Sequence, residues 1–194
     1  MPAWIHTLIM KKSFALFLLL LPASFCFSQT GFQKNLTPRG HRNLITAGIN
    51  ISLGDFSNTH YGGFSTVYAW SKNRFGRLNS MPAKKIGFTG NSGIVYYAGR
   101  KETIGTGSYK YPAYIFLHAF AGAVYNASNN VHFCLTAGPA AGIYNSIVQF
   151  NSGASLQCTY YISTKIGITP GLIMMKETGS DALWSGSLRA AMAF

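Results

Sequence analysis

His132 and Cys134 are the two side chains in this 194-residue chain best spaced for chemistry. Residues two apart on a strand share a face, so the imidazole would stand beside the thiol as a base beside a nucleophile. Such a pair also needs a group that orients the imidazole. No Asp or Glu falls in the strand-like segments 131–144 and 154–162, so we read both residues as packing and hydrogen-bonding groups and assign no catalytic residue. A metal centre is not indicated, because His41, His60, His118 and His132 are scattered without ligand spacing. Gly105-Thr106-Gly107 lies in a loop, not between strand and helix, and makes no phosphate cradle. Cys134 and Cys158 fall on different segments and opposite faces, which argues against a disulfide. No cofactor is implied.

A second set of polar residues recurs at one parity along several segments: Asn50, Asn91, His132, Gln157, Thr159, Tyr161 and Arg189. If those segments close into a barrel, the set converges on its axis as a lumen network. Arg189 there is costly unless it is hydrogen-bonded, and we expect Gln, Asn, Tyr, carbonyl oxygens or trapped water as its partners.

The segments that must position these residues alternate with period two. Ile45, Ala47, Ile49, Ile51 and Leu53 oppose Thr46, Gly48, Asn50 and Ser52 over 44–53. Comparable segments are expected at about 61–71, 85–98, 113–125, 131–144, 154–162 and 165–176. The last, 184–194, sets Trp184, Leu188, Met192 and Phe194 against Ser185, Ser187 and Arg189. The segment at 113–125 is apolar on both faces, its second face largely Ala. Eight such segments of about ten residues, separated by turn signals, predict an all-β, up-and-down antiparallel transmembrane barrel. Ten strands is the alternative count, because 29–43 and 72–84 could hide irregular pairing. We find no helical periodicity.

The connections alternate in length. Segments 126–130 and 163–164 read as tight turns, and 99–112, 146–153 and 177–182 as longer loops; only 72–84 is too long for its side. Asp55, Glu102, Glu177 and Asp181 all fall at the loop end. Lys34, Arg39, Arg42, Lys72, Arg74, Arg77, Lys84, Lys85 and Lys165 fall at the turn end with no acid among them. Tyr68 and Trp70 are expected at one membrane interface, and Tyr96, Tyr114, Phe116 and Trp184 at the other, where amphipathic rings sit well.

Residues 1–28 read as a cleaved signal peptide: Lys11-Lys12, an apolar run Phe14–Leu21, then small residues Cys26 and Ser28 before Gln29. The charged pair directly follows Met10, a candidate initiator beside Met1. Acylation of Cys26 is disfavoured by bulky Phe25. Residues 29–43 read as a flexible periplasmic lead-in and 44–194 as the barrel. The chain has net charge +12, with only 10% charged residues, where a soluble surface carries roughly 25–35%. Basic charge attracts nucleic acid non-specifically, but no recognition helix is visible and an exported chain rarely meets it. We read the basic residues as facing anionic lipid headgroups or periplasmic polymers.

The leader, eight alternating segments, loop-turn rhythm and terminal Phe194 resemble the small eight-stranded outer-membrane barrels, the class of the OmpA membrane domain and OmpX. The leader ending Phe27-Ser28-Gln29 and the Tyr- and Gly-rich strands resemble barrels of the Bacteroidetes type. The resemblance implies a Gram-negative outer-membrane location and contact with outer-membrane lipid. It also implies a role for Phe194 in the signal read by the barrel-assembly machinery. Lipid A deacylases built on such barrels use His-x-Ser plus a Glu; this chain has Cys134 in place of the serine and lacks the Glu. The expected function is therefore a non-enzymatic structural or surface-interaction barrel whose partner the sequence does not name. The alternatives are a narrow outer-membrane pore and a soluble secreted lipocalin-like barrel, which would turn the bulky apolar face inward.

Overall fold

Pairing of the last segment with the first closes the sheet. The computed structural model describes residues 40–78, 85–104, 107–177 and 181–194; the leader and residues 29–39 lie outside them. Within them the strands are β1 His41–Leu53, β2 His60–Phe75, β3 Ile86–Gly99, β4 Lys101–Ile104 and β5 Gly107–Lys110. Then follow β6 Tyr114–Asn126, β7 Val131–Tyr144, β8 Ile147–Tyr161, β9 Ile166–Lys176 and β10 Ala182–Ala193. Eight of them form a closed antiparallel barrel in the order β1-β10-β9-β8-β7-β6-β3-β2. Strands β4 and β5 form a separate two-stranded hairpin, within the connection 99–112 expected to be one of the longer loops.

Each barrel strand pairs with its sequence neighbours, and β10 returns to β1. Leu188 lies opposite Ile49, and Arg189 opposite Gly48. Phe194 and Asn43 exchange backbone hydrogen bonds, Asn43 N to Phe194 O at 3.2 Å and Phe194 N to Asn43 O at 3.0 Å. Closure leaves no free sheet edge around the barrel.

The faces sort as period two requires. Ile49 is 59% exposed, Phe64 63%, Leu135 62% and Leu188 52%, whereas Asn50, Ser65, Thr136 and Arg189 are buried. The outside is thus an apolar band. This overturns the lipocalin-like alternative, which needs those bulky side chains inside.

Several boundaries differ from the sequence reading. Strand β1 starts at His41, inside the expected lead-in, because Asn43 is held by the last residue of the chain. Strand β8 starts at Ile147, so the expected loop 146–153 is mostly sheet. Asn145 and Ser146, with φ of 49° and 65°, turn β7 into β8 as a two-residue hairpin of the kind that matches strand twist. The expected absence of helix also fails, since Phe56–Thr59 forms one short helical turn, α1.

Close approach makes Gly48 special. A Cβ there would lie 2.6 Å from Arg189 Cα and 3.0 Å from Arg189 Cγ. Gly48→Val is therefore expected to shift the β1–β10 seam and to lower the yield of heat-modifiable, refolded barrel. Ala47→Val, on the exposed side of the same strand, should refold like wild type.

Candidate functional site

The barrel interior and its two ends hold the side chains that could act. At the loop end the lumen is apolar: Phe56, Val95, Tyr97, Tyr114, Phe116, Phe120, Ile173 and Met175 form one buried cluster. Helix α1 sets Phe56 across the mouth, its ring 4.9 Å from Tyr97, 4.7 Å from His60 and 5.8 Å from Tyr114. The phenols carry polar tips that buried tyrosines need to satisfy. Tyr97 donates to Ser185 Oγ at 2.6 Å, and Tyr114 donates to Glu177 Oε1 at 2.6 Å while accepting from Asn151 Nδ2 at 3.4 Å.

Tyr114 and Phe116 were expected at the lipid interface, and both lie inside, 3% and 0% exposed. The cause is space. An eight-stranded lumen is only wide enough for side chains to fill it, and glycines on neighbouring strands leave room for the β6 rings. A Cβ at Gly142 would lie 2.8 Å from Tyr114 Cζ, and one at Gly153 2.7 Å from Phe120 Cζ. Strand β6 consequently shows alanines outward at 119, 121 and 123. The other four interface candidates are on the outer surface: Tyr68, Trp70 and Trp184 exposed and Tyr96 half-buried. Phe64 stacks on Tyr96 at 5.2 Å, and Tyr68 donates to Asn43 Oδ1 at 2.9 Å.

A second apolar cluster stops the turn end: Leu44, Ala69, Phe75, Val124, Cys134, Tyr161, Ala191 and Ala193. After β2 the chain folds back over the opening. Phe75 and Leu78 are buried, and Leu78 N donates to Asn129 O at 2.7 Å. Gly76, at φ +95°, permits that reversal. The connection expected at 72–84 exceeds a turn because β2 runs on to Phe75 and the stopper follows it; residues 79–84 lie outside the described ones.

Between the two clusters is a polar belt. Asn91 Nδ2 donates to Thr136 Oγ1 at 2.9 Å, Thr136 and Ser155 hydroxyls are 2.8 Å apart, and Gln157 Nε2 donates to Ser155 Oγ at 3.1 Å. Thr159 and Thr169 hydroxyls lie 2.9 Å apart, and Ser65 Oγ donates to Asn50 Oδ1 at 3.1 Å. Arg189 Nη2 donates to Ser187 Oγ at 3.0 Å.

All seven residues of the expected lumen set are buried, but they form no single network. Asn91 and Gln157 join through Thr136 and Ser155, while Asn50, Thr159 and Arg189 have separate partners. Tyr161 and His132 sit with the turn-end rings instead: His132 lies 5.1 Å from Tyr161 and 6.4 Å from Phe75, ring to ring. Neither His132 nitrogen has a hydrogen-bond partner, and Cys134 is buried in the same apolar cluster. Among the described residues no cluster of His, Cys, Asp or Glu could hold a metal.

Sequence reasoning missed Phe56, Tyr97, Phe120, Phe75 and Leu78. Parity along β3 was a usable signal for Tyr97, because Tyr96 faces outward. For Phe56 the only signal was an aromatic inside a polar loop. The loop end also carries the β4–β5 hairpin, where Tyr111 donates to Glu102 Oε2 at 2.9 Å. That hydrogen bond is the main reason the Tyr111 hydroxyl is held above its ordinary pKa. At the turn end Arg42, Lys72, Arg74, Arg77, Lys85 and Lys165 are exposed.

No protein-family model matches the sequence, and no curated protein does. Among solved structures the fold is similar to Ail, the attachment invasion locus protein of Yersinia pestis. The likeness covers 80% of this chain and 99% of that one, with TM-score 0.51 and 12% identity. Ail in complex with the heparin analogue sucrose octasulfate aligns with TM-score 0.51 and 13% identity, covering 80% of this chain and 99% of that one. Neisserial surface protein A aligns with TM-score 0.44 and 12% identity, covering 82% of this chain and 100% of that one. The first two matches show the fold: a closed eight-stranded antiparallel barrel, the architecture expected from the alternation.

Proposed function

We propose that the protein is a non-enzymatic outer-membrane barrel with a stopped lumen, serving a structural or surface-interaction role through its loop end. One observation carries this reading. The surface is a band of aliphatic and aromatic side chains around a barrel whose interior is filled by rings at both ends. Hydrocarbon accepts such a surface because closure satisfies every barrel strand's backbone groups internally. The band supports contact with outer-membrane lipid, and Tyr68, Trp70, Tyr96 and Trp184 suit its headgroup boundary.

The same interior opposes the alternatives. A pore would have to pass Phe56, Tyr97 and Phe116 at one end and Phe75 and Tyr161 at the other. An acyl transferase built on His132 and Cys134 would have its imidazole closed among rings. Phe194 is 49% exposed on the outer face of the closing strand, which supports its role in the assembly signal. The leader reading supports export to a Gram-negative envelope, and the Bacteroidetes-type character rests on leader and strand composition.

The sulfated ligand seen with Ail does not carry over. Here Asp55, Glu102, Glu177 and Asp181 share the loop end with Arg100, Lys101, Lys110 and Lys176, so that end presents no net excess of positive charge.

Planar-bilayer recording and fractionation test the reading. The refolded protein is expected to give no steady conductance, and the cellular protein to stay with membranes after carbonate or urea extraction. Well-defined conductance would overturn the stopped lumen. Release into the aqueous phase without detergent would overturn the membrane assignment.

A further inference from the structure

Among the described residues Arg189 is the one charged side chain buried in the polar belt, and its surroundings are built to hold a guanidinium without a carboxylate. It lies on the inner face of β10 and is 1% exposed. Its Nη2 donates to Ser187 Oγ at 3.0 Å, and its Nε and Nη1 have no partner. A guanidinium keeps its charge in proteins and offers donors only. Two glycines leave it room: a Cβ at Gly171 would lie 3.2 Å from Nη2, and one at Gly48 3.0 Å from Cγ.

The four acids in the chain do not reach it. Asp55, Glu102, Glu177 and Asp181 belong to the loop end. Glu177 comes nearest to the lumen, where it takes the Tyr114 hydroxyl at the mouth. Asn50, on the neighbouring strand and opposite Ser187, adds a buried Nδ2 that also lacks an acceptor.

Buried charge is tolerated when it is paired and hydrogen-bonded. Water would accept from the free N–H groups but leave the charge unmatched, whereas an anion does both. The occupant must be small, because the lumen of an eight-stranded barrel is just wide enough for side chains. We propose that the lumen of this barrel holds a small monovalent anion, chloride under ordinary conditions, against Nε and Nη1 of Arg189. Rings stop both ends, so the anion is taken up as the barrel closes and exchanges slowly afterwards. The site stands whether or not the outer surface meets lipid.

The mature chain, refolded into detergent micelles in sodium bromide and desalted into sodium gluconate, should retain bromide in stoichiometric amount. Arg189→Met treated identically should retain none. The wild-type unfolding midpoint should be higher after refolding in bromide than in gluconate at equal ionic strength. The rise is about 5 °C or more at a hundredfold excess over the dissociation constant. Equal retention by both proteins, or none by wild type, would overturn the proposal. Should Arg189→Met fail to refold, anomalous diffraction from wild-type crystals grown in bromide decides. A bromide peak in hydrogen-bond contact with the guanidinium supports the site, and water alone at that position overturns it.

Discussion

Phe116→Ala is expected to lower the stability of the folded barrel by about 3–5 kcal/mol, the usual cost of emptying a ring from a packed interior. Phe116 is fully buried, and its ring centroid lies 5.6 Å from His118 and 6.3 Å from Phe120. Around it are Phe56, Tyr97, Ile173 and Met175 of the same cluster, and a barrel wall cannot collapse inward to fill the space. Urea unfolding in lipid vesicles, followed by Trp70 and Trp184 fluorescence, would read the loss. The lipid-interface position expected from the sequence predicts a much smaller effect, because an exposed ring leaves no cavity. A change of less than about 1 kcal/mol would return Phe116 to the outer surface.

The second large effect is on the opposite face. Leu188→Arg should cost about 2–4 kcal/mol in a bilayer, the penalty for a basic residue near the midplane on a lipid-facing strand. Leu188 is 52% exposed and sits in the middle of β10, opposite Ile49. In water an exposed Leu→Arg change stays within about 0.5 kcal/mol, so the same substitution separates a membrane barrel from a soluble one. Urea unfolding of wild type and variant in lipid vesicles would read the penalty, which arises only where hydrocarbon surrounds the strand. Equal stability of wild type and variant in vesicles would defeat the lipid-facing assignment.

These two positions mark where alternation informs and where it does not. Along β10, Leu188 and Arg189 differ so strongly in polarity that period two alone assigns their faces. Along β6 both faces are apolar, Tyr114, Phe116 and Phe120 against Leu117 and the alanines, so alternation has no sign and the rings could be read either way. The glycines that make room for those rings lie on other strands, and only the assembled register brings them together. The stopper at Phe75–Leu78 was hidden for a related reason: its hydrogen bond to Asn129 joins segments far apart in the chain.

By itself the sequence determined the strand class and which side chains share a face with Asn50, Gln157 and Arg189, because those follow from a two-residue period that is local; barrel closure decided eight strands against ten and turned the apolar face outward. The tertiary structure alone decided what fills the lumen. Which rings meet, which glycines yield to them and whether a carboxylate reaches Arg189 depend on neighbours set by barrel closure and register, which no single strand encodes.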